Sequence, residues 1–96
     1  MKLMVKCTIE MFGLPPEITD MRSVEVTLRD RATPADVVAA LREKIPALDG
    51  PIISPGEDRL TEVFGFYING QFYAGDQQVH LKTGDRIVLL ALAMGG

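Results

Sequence analysis

Two segments near the start of the chain alternate apolar and polar residues, and this alternation restricts the fold more than any other feature. The apolar set of the first segment is Leu3, Val5, Cys7, Ile9 and Met11, and that of the second is Val24, Val26 and Leu28. Because successive side chains of a strand point to opposite faces, a period of two predicts strands with one buried face. We therefore predict strands at residues 2–11 and 23–29. Two prolines in the segment 12–17 break the regularity, so the strands form a hairpin.

One amphipathic helix is predicted after the hairpin. Thr33 is a typical N-cap residue, Pro34 suits the first helical position, and Asp36 suits the positive end of the helix dipole. The apolar stripe consists of Val37, Val38, Leu41 and Ile45, whereas Asp36, Arg42 and Glu43 are expected to face water. Pro46 disfavours helical geometry at the residue before it, so the helix should run from residue 34 to about residue 44.

The second half of the chain predicts three further strands. The expected elements are a loop at 47–62, strands at 63–68 and 71–73, a brief segment at 79–81 and a final strand at 86–92. Ile52, Ile53 and Leu60 are expected to hold the long loop against the body of the protein. Asn69-Gly70 lies between two strand-like segments, which is the sequence typical of a hairpin with a type I′ turn.

This order of elements predicts an α+β fold, with a mixed sheet of about five strands and one main helix packed on one face. The first and last strands are expected to lie side by side and parallel. We expect a single domain over residues 1–96, with residues 93–96 protruding as a C-terminal tail. Gly95 and Gly96 have no Cβ atoms, so this tail can enter a channel too narrow for a side chain and present a carboxylate to a partner.

Composition and charge exclude several functions. The 96 residues leave little room for a separate lid or cofactor domain, so we do not expect an enzyme. Ten basic residues are scattered among thirteen acidic ones, and the net charge of −3 argues against a nucleic-acid partner. No apolar run approaches the ~20 residues that a membrane span needs. A single cysteine, Cys7, fits a buried inert thiol in a reducing cytoplasm, and His80 fits a solvated surface imidazole. Neither residue predicts a metal site or catalysis.

Several short motifs occur in a characteristic order along nearly the whole chain. They are Phe12-Gly13, Ala32-Thr33-Pro34-Ala35-Asp36-Val37, Ile68-Asn69-Gly70, Leu81-Lys82-Thr83-Gly84-Asp85-Arg86-Ile87 and Gly95-Gly96. This order resembles that of the ubiquitin-like β-grasp sulfur carriers of the MoaD/ThiS family, which include the small subunit of molybdopterin synthase. Many members carry proline just before the diglycine, whereas this chain has Ala91-Leu92-Ala93-Met94, and the subfamily is left open.

The resemblance implies a carrier that other proteins load with sulfur. A partner similar to ubiquitin-activating enzyme would use ATP to adenylate Gly96, and a persulfide from a sulfurtransferase or cysteine desulfurase would then displace AMP to leave a thiocarboxylate. Gly95 would be the thin linker of the tail and Met94 part of its neck. The thiocarboxylate would donate its sulfur inside a synthase large subunit. No cofactor is expected on the chain itself.

The final strand predicts a surface for such partners. If Ile87, Leu89 and Ala91 point toward the helix, alternation places an apolar set on the open face of the sheet. That set is Val88, Leu90 and Leu92. An apolar stripe facing water is typical of a partner-binding site. The alternative is a strand buried on both sides, by a second copy of the chain or by the long loop.

Three functions are compatible with these patterns. The first is a sulfur carrier for molybdopterin, its tungsten analogue or thiamin, and the segment 12–17 favours the pterin pathways. The second is a ubiquitin-like modifier joined to lysines through Gly96. The third is a β-grasp interaction module whose tail is incidental. The sequence does not decide among these, nor does it name the sulfur acceptor.

Overall fold

A computed structural model describes residues 4–73 and 79–91. Its elements are β1 (Met4–Phe12), β2 (Ser23–Arg29), α1 (Pro34–Lys44), a short 3-10 helix (Pro46–Leu48), β3 (Phe64–Ile68), β4 (Gln71–Tyr73) and β5 (Arg86–Ala91). These bounds agree with the predicted strands and helix to within a residue or two. Residues 1–3, 74–78 and 92–96 lie outside the described residues, and the predicted tail lies there with them.

The strands form one mixed sheet in the order β2-β1-β5-β3-β4. β1 pairs with β2 in antiparallel orientation and with β5 in parallel orientation, and β3 pairs antiparallel with both β5 and β4. The predicted parallel pairing of the first and last strands is therefore confirmed. This pair occupies the middle of the sheet.

The core lies between the sheet and α1. Alternation holds on both strands of the first hairpin, since every second residue from Val5 to Met11 and from Val24 to Leu28 is buried. The predicted stripe of α1 is buried too. Cys7 is buried as expected, and its Sγ lies 3.8 Å from the carbonyl oxygen of Lys82. Burial first, and the charge of Asp85 second, raise the pKa of the Cys7 thiol, which makes it unreactive.

The start of α1 has the predicted polar cap. The backbone N–H of Thr33 donates to a carboxylate oxygen of Asp36 at 2.8 Å, and the Arg29 side chain lies 3.2 Å from the same oxygen. Partial burial alone would raise the pKa of Asp36, but the Thr33 N–H and Arg29 outweigh it, so the pKa is lowered. Of the helices in the described residues, none has the length and apolar character needed to cross a lipid bilayer.

The long loop is more ordered than its sequence indicates, because backbone hydrogen bonds within it and the side chain of Arg42 both hold it in place. Arg42 was predicted to face water, and it lies partly exposed at the surface, where its Nε donates to Asp49 at 3.1 Å and its Nη1 donates to Asp58 at 2.9 Å. It also donates to the carbonyl oxygens of Ser54 and Glu57. One guanidinium thus joins the helix to both ends of the loop. On the other side of the loop, the three predicted apolar anchors, Ile52, Ile53 and Leu60, are buried.

The two connections in the second half differ in how well the sequence predicts them. Asn69 and Gly70 have positive φ values of 52° and 87°, which confirms the type I′ turn between β3 and β4. The brief segment at 79–81 forms no strand. Leu81 is buried there, and its N–H donates to the carbonyl oxygen of Ala32 at 2.7 Å. His80 is exposed as predicted, with Nδ1 3.5 Å from the Arg31 guanidinium.

The cap of α1 gives a test of the fold. Asp36→Ala removes the acceptor for the Thr33 N–H and should lower the free energy of unfolding by about 1 kcal/mol at pH 7. A lowered pKa in the folded state stabilises the protein above the unfolded pKa, and that stabilisation is lost as pH falls through the folded pKa. The difference between wild type and variant should therefore shrink below about pH 4. Urea denaturation at several pH values measures this difference in the free energy of unfolding, with Glu43→Ala as the control. A difference that stays the same at low pH would show that the ionised carboxylate of Asp36 does not stabilise the cap.

Candidate partner-binding surface

β5 presents apolar side chains to both faces of the sheet. Ile87 and Leu89 are fully buried on the face that α1 covers, whereas Val88 and Leu90 are only half-buried on the opposite, open face. The predicted division of these four residues is confirmed. Ala91 was predicted to point inward, but it is exposed. It is the last residue of β5 and lies beside Gly13, which has no side chain to cover it.

Neighbouring strands extend this apolar stripe across the open face. Phe12 of β1 lies opposite Leu90, Tyr67 of β3 lies opposite Val88, and Phe72 of β4 lies opposite Tyr67. Directly opposed residues share a face, so we name these five residues the open-face patch. Three of them are large and exposed: Phe12 at 56%, Tyr67 at 42% and Phe72 at 42%. An exposed aromatic cluster of this kind is typical of a protein interface.

Gly65 is what allows the Phe72 ring to pack closely against β3. A Cβ placed on Gly65 would be 2.3 Å from Cε1 of Phe72, so the Phe72 ring rests directly on the glycine backbone. The rings of Tyr67 and Phe72 are 5.6 Å apart and meet edge to face at 68°. Leu90 lies opposite Gly65 and continues the same surface. A side chain at position 65 would displace Phe72 and break up the patch.

Charged and polar groups border the patch on the β1 side. Glu10 lies opposite Val88 and forms an ion pair with Arg86, and this contact raises the pKa of the Arg86 guanidinium. Beyond Phe12, an open cleft of about 690 Å³ lies beside the connection between β1 and β2, and Leu14 and Met21 contribute to its lining. An apolar centre with a polar rim is the usual organisation of a protein–protein interface.

The patch lies where β5 ends. Leu90 belongs to the patch, and Ala91 ends the strand immediately after it. The remaining predicted site residues, Leu92, Met94, Gly95 and Gly96, lie outside the described residues. A protein bound to the patch would therefore contact the chain directly before these residues.

Sequence reasoning missed three members of the patch, namely Phe12, Tyr67 and Phe72. The sequence around Tyr67 could have predicted its place on the open face, since Tyr67 alternates with the buried Phe66 and Ile68. The place of Phe72 is harder to predict, because it follows only from the Asn69-Gly70 turn, which sets Phe72 opposite Tyr67. Phe12 had the same kind of signal as Tyr67, because it follows the buried Met11 in the alternation of β1, but its pairing with Leu90 joins residues far apart in the sequence.

The described fold is a ubiquitin-like β-grasp, and solved structures share it at low sequence identity. SAMP1 from Haloferax volcanii superposes with a TM-score of 0.78 at 24% identity, over 95% of this chain and 99% of that chain. Small archaeal modifier protein 1 from Methanosarcina acetivorans gives a TM-score of 0.73 at 23% identity, over 98% and 99%. A Pyrococcus furiosus protein described as subunit 1 of a molybdopterin converting factor gives 0.68 at 16%, over 93% and 99%.

These likenesses establish the β-grasp fold. No protein-family model and no curated protein matches the sequence. The structural neighbours include both small modifiers and a converting-factor subunit.

Truncating a side chain on either face of β5 should lower the free energy of unfolding by different amounts. Leu89→Ala removes a fully buried side chain and should lower the free energy of unfolding by about 3 kcal/mol. Leu90→Ala removes a half-buried side chain from the open face and should cost about 1 kcal/mol or less. Chemical denaturation of both variants measures the contrast. Equal losses would place Leu90 in the core and remove it from the patch.

Proposed function

We propose that this protein is a sulfur carrier whose terminal residue, Gly96, is adenylated by a partner and converted to a thiocarboxylate. The observation that carries the proposal is the open-face patch, because its β5 residues, Val88 and Leu90, lie shortly before Gly95-Gly96 in the sequence. A carrier needs both features together: a surface that an activating enzyme can bind, and a thin terminus that reaches the enzyme's active site.

The chemistry divides between this chain and its partners. A carboxylate is a poor electrophile because attack on it must expel oxide, so ATP is used by the partner to form an acyl-adenylate at Gly96. A persulfide sulfur then attacks the carbonyl carbon and AMP leaves; reductive cleavage of the resulting acyl disulfide by a thiol gives the thiocarboxylate. Gly95 gives the tail its narrow cross-section, and Met94 forms part of its neck. The chain itself contributes binding and positioning, and no catalytic group.

The same patch serves more than one partner in this proposal. The adenylating enzyme and the synthase large subunit must each bring their active site to Gly96, so each has reason to bind near the end of β5. Val88 and Leu90 supply the aliphatic centre of this surface and Tyr67 its aromatic edge. Partners that use one surface must bind in turn, which suits a carrier that is loaded by one protein and unloaded by another.

A pterin pathway is the preferred destination of the sulfur. The segment 12–17 resembles the pterin side of the family, and the converting-factor neighbour from Pyrococcus furiosus supports this choice. Molybdopterin and its tungsten analogue are the two products of this class. Thiamin biosynthesis is the alternative for the same thiocarboxylate.

Intact mass of the loaded protein tests the proposal. The protein is incubated with the host's adenylating enzyme, ATP and a sulfur donor, and its mass should rise by the difference between sulfur and oxygen, located on the last peptide. Deletion of Gly96 should abolish the change. An unchanged mass with a demonstrably active partner would overturn the sulfur-carrier proposal.

The patch has its own test. Leu90→Asp places a charge at the centre of the apolar surface, so binding to the adenylating enzyme should weaken at least about a hundredfold while the fold is retained. Thr8→Asp is the matched control, because Thr8 is exposed on the same face of β1 but lies outside the patch. Titration calorimetry measures the affinities, and circular dichroism checks the fold. Equal affinities for the two variants would show that the partner binds elsewhere.

A protein modifier is the second candidate, because two of the structural neighbours are small archaeal modifier proteins. Adenylation of Gly96 precedes either fate, and in this case a lysine amine attacks the activated carbonyl to form an amide. An epitope-tagged copy expressed in its host should then produce heavier species on a blot, and these should vanish when Gly96 is deleted. Thiolated metabolites without such species favour the carrier, and such species without thiolated metabolites favour the modifier.

A further inference from the structure

β2 is one of the two outer strands of the sheet, and its free edge is regular. Its seven residues, Ser23–Arg29, pair with β1 on one side. Within residues 4–73 and 79–91, no strand pairs with its other side. Natural edge strands are commonly protected by charged side chains, especially lysine, or by proline, a bulge or very short length. β2 has no lysine, proline or bulge, and its two charged side chains, Glu25 and Arg29, have opposite signs.

Backbone hydrogen bonds identify which groups of β2 point outward. The N–H of Met11 donates to the carbonyl oxygen of Arg22 at 2.8 Å. Hydrogen-bonded pairs alternate along an antiparallel ladder, so Val24, Val26 and Leu28 bond to β1, and the residues between them direct their N–H and C=O groups outward. Lys6, opposite Thr27, agrees with this pattern, because its N–H and C=O bond to Thr83 and Gly84 on the far side of β1.

Two side chains along this edge, Glu25 and Arg29, carry opposite charges and lie four residues apart, so they can face each other across a symmetric strand pair. Glu25 and Arg29 are exposed and alternate with the buried residues of β2, so both positions belong to the open face, although the Arg29 guanidinium reaches Asp36 at the start of α1. If a second copy of the strand runs antiparallel about an axis at Thr27, Glu25 of each copy lies opposite Arg29 of the other. Opposite charges in directly facing positions stabilise a strand pair. The arrangement is self-complementary, as a two-fold symmetric interface requires.

We propose that two copies of this protein associate edge to edge through β2, with Thr27 opposite Thr27 and two Glu25–Arg29 pairs across the interface. An axis at Glu25 would instead bring two carboxylates face to face, so charge disfavours that register. Arg29 already contacts Asp36 at 3.2 Å, but its side chain is 69% exposed. Such exposed ion pairs are weak and exchange partners readily.

The dimer leaves the candidate partner-binding surface free. The open-face patch lies on β1, β5, β3 and β4, and β2 contributes no residue to it. The inference therefore goes beyond the proposed function and does not depend on it. A strand edge buries less than the ~1,200 Å² of a standard stable interface, so we expect weak, concentration-dependent association with a Kd of about 0.01–1 mM.

Sedimentation equilibrium tests the dimer and its register. Glu25→Arg and Arg29→Glu should each weaken dimerisation at least about tenfold, because each places like charges opposite one another. The double variant restores opposite charges and should recover the wild-type Kd. Glu43→Arg makes the same charge change on the exposed surface of α1 and should leave the Kd unchanged. Circular dichroism confirms that each variant is folded.

Thr27→Pro supplies an independent check, because it removes an outward N–H that makes no bond to β1, and it should also abolish the dimer. A protein that stays monomeric up to about 1 mM would overturn the proposal. So would a dimer that Leu90→Asp abolishes and the charge variants leave intact, since that dimer would use the open-face patch. Failure to recover dimerisation in the folded double variant would overturn the Thr27-centred register.

Discussion

The parallel pairing of β1 with β5 is the interaction on which the rest of the structure depends. It joins the first and last strands in the centre of the sheet, where Ile9 lies opposite Ile87 and both are fully buried. The same register brings Phe12 beside Leu90 on the open face. The core, the patch and the end of β5 are thus set by one strand pair. Without this pair, the β1–β2 hairpin and the β3–β4 hairpin would not share one core.

β5 serves the core and the surface at once because its apolar run has no polar alternation. Leu89 and Ile87 fill the space under α1, and Val88 and Leu90 form the aliphatic centre of the open-face patch. A strand in an ordinary antiparallel sheet would carry polar residues on that second face. The simplest reason for an apolar second face is that another part of the protein or a partner protein covers it. The proposed carrier function uses it for binding, and the glycine at position 65 extends it by accommodating Phe72.

Polar groups stabilise segments where apolar burial alone is insufficient. The loop after α1 buries a few apolar residues, but Arg42 fixes both its ends to the helix through Asp49, Asp58 and two backbone carbonyls. Asp36 has a similar function at the other end of α1, where it accepts from Thr33. Both residues look like ordinary surface charges in the sequence. Their effect depends on partners that the chain brings near only after it folds.

Local patterns in the sequence determined the strands, the helix, the type I′ turn and the division of β5 into two faces, because each depends on periodicity or on neighbouring residues. The parallel β1–β5 pair followed from the order of the elements. Only the tertiary structure decided that Phe12, Tyr67 and Phe72 join the patch, that Arg42 holds the loop, and that β2 has a free edge. These features depend on register between strands and on contacts between residues far apart in the chain, which local periodicity alone does not determine.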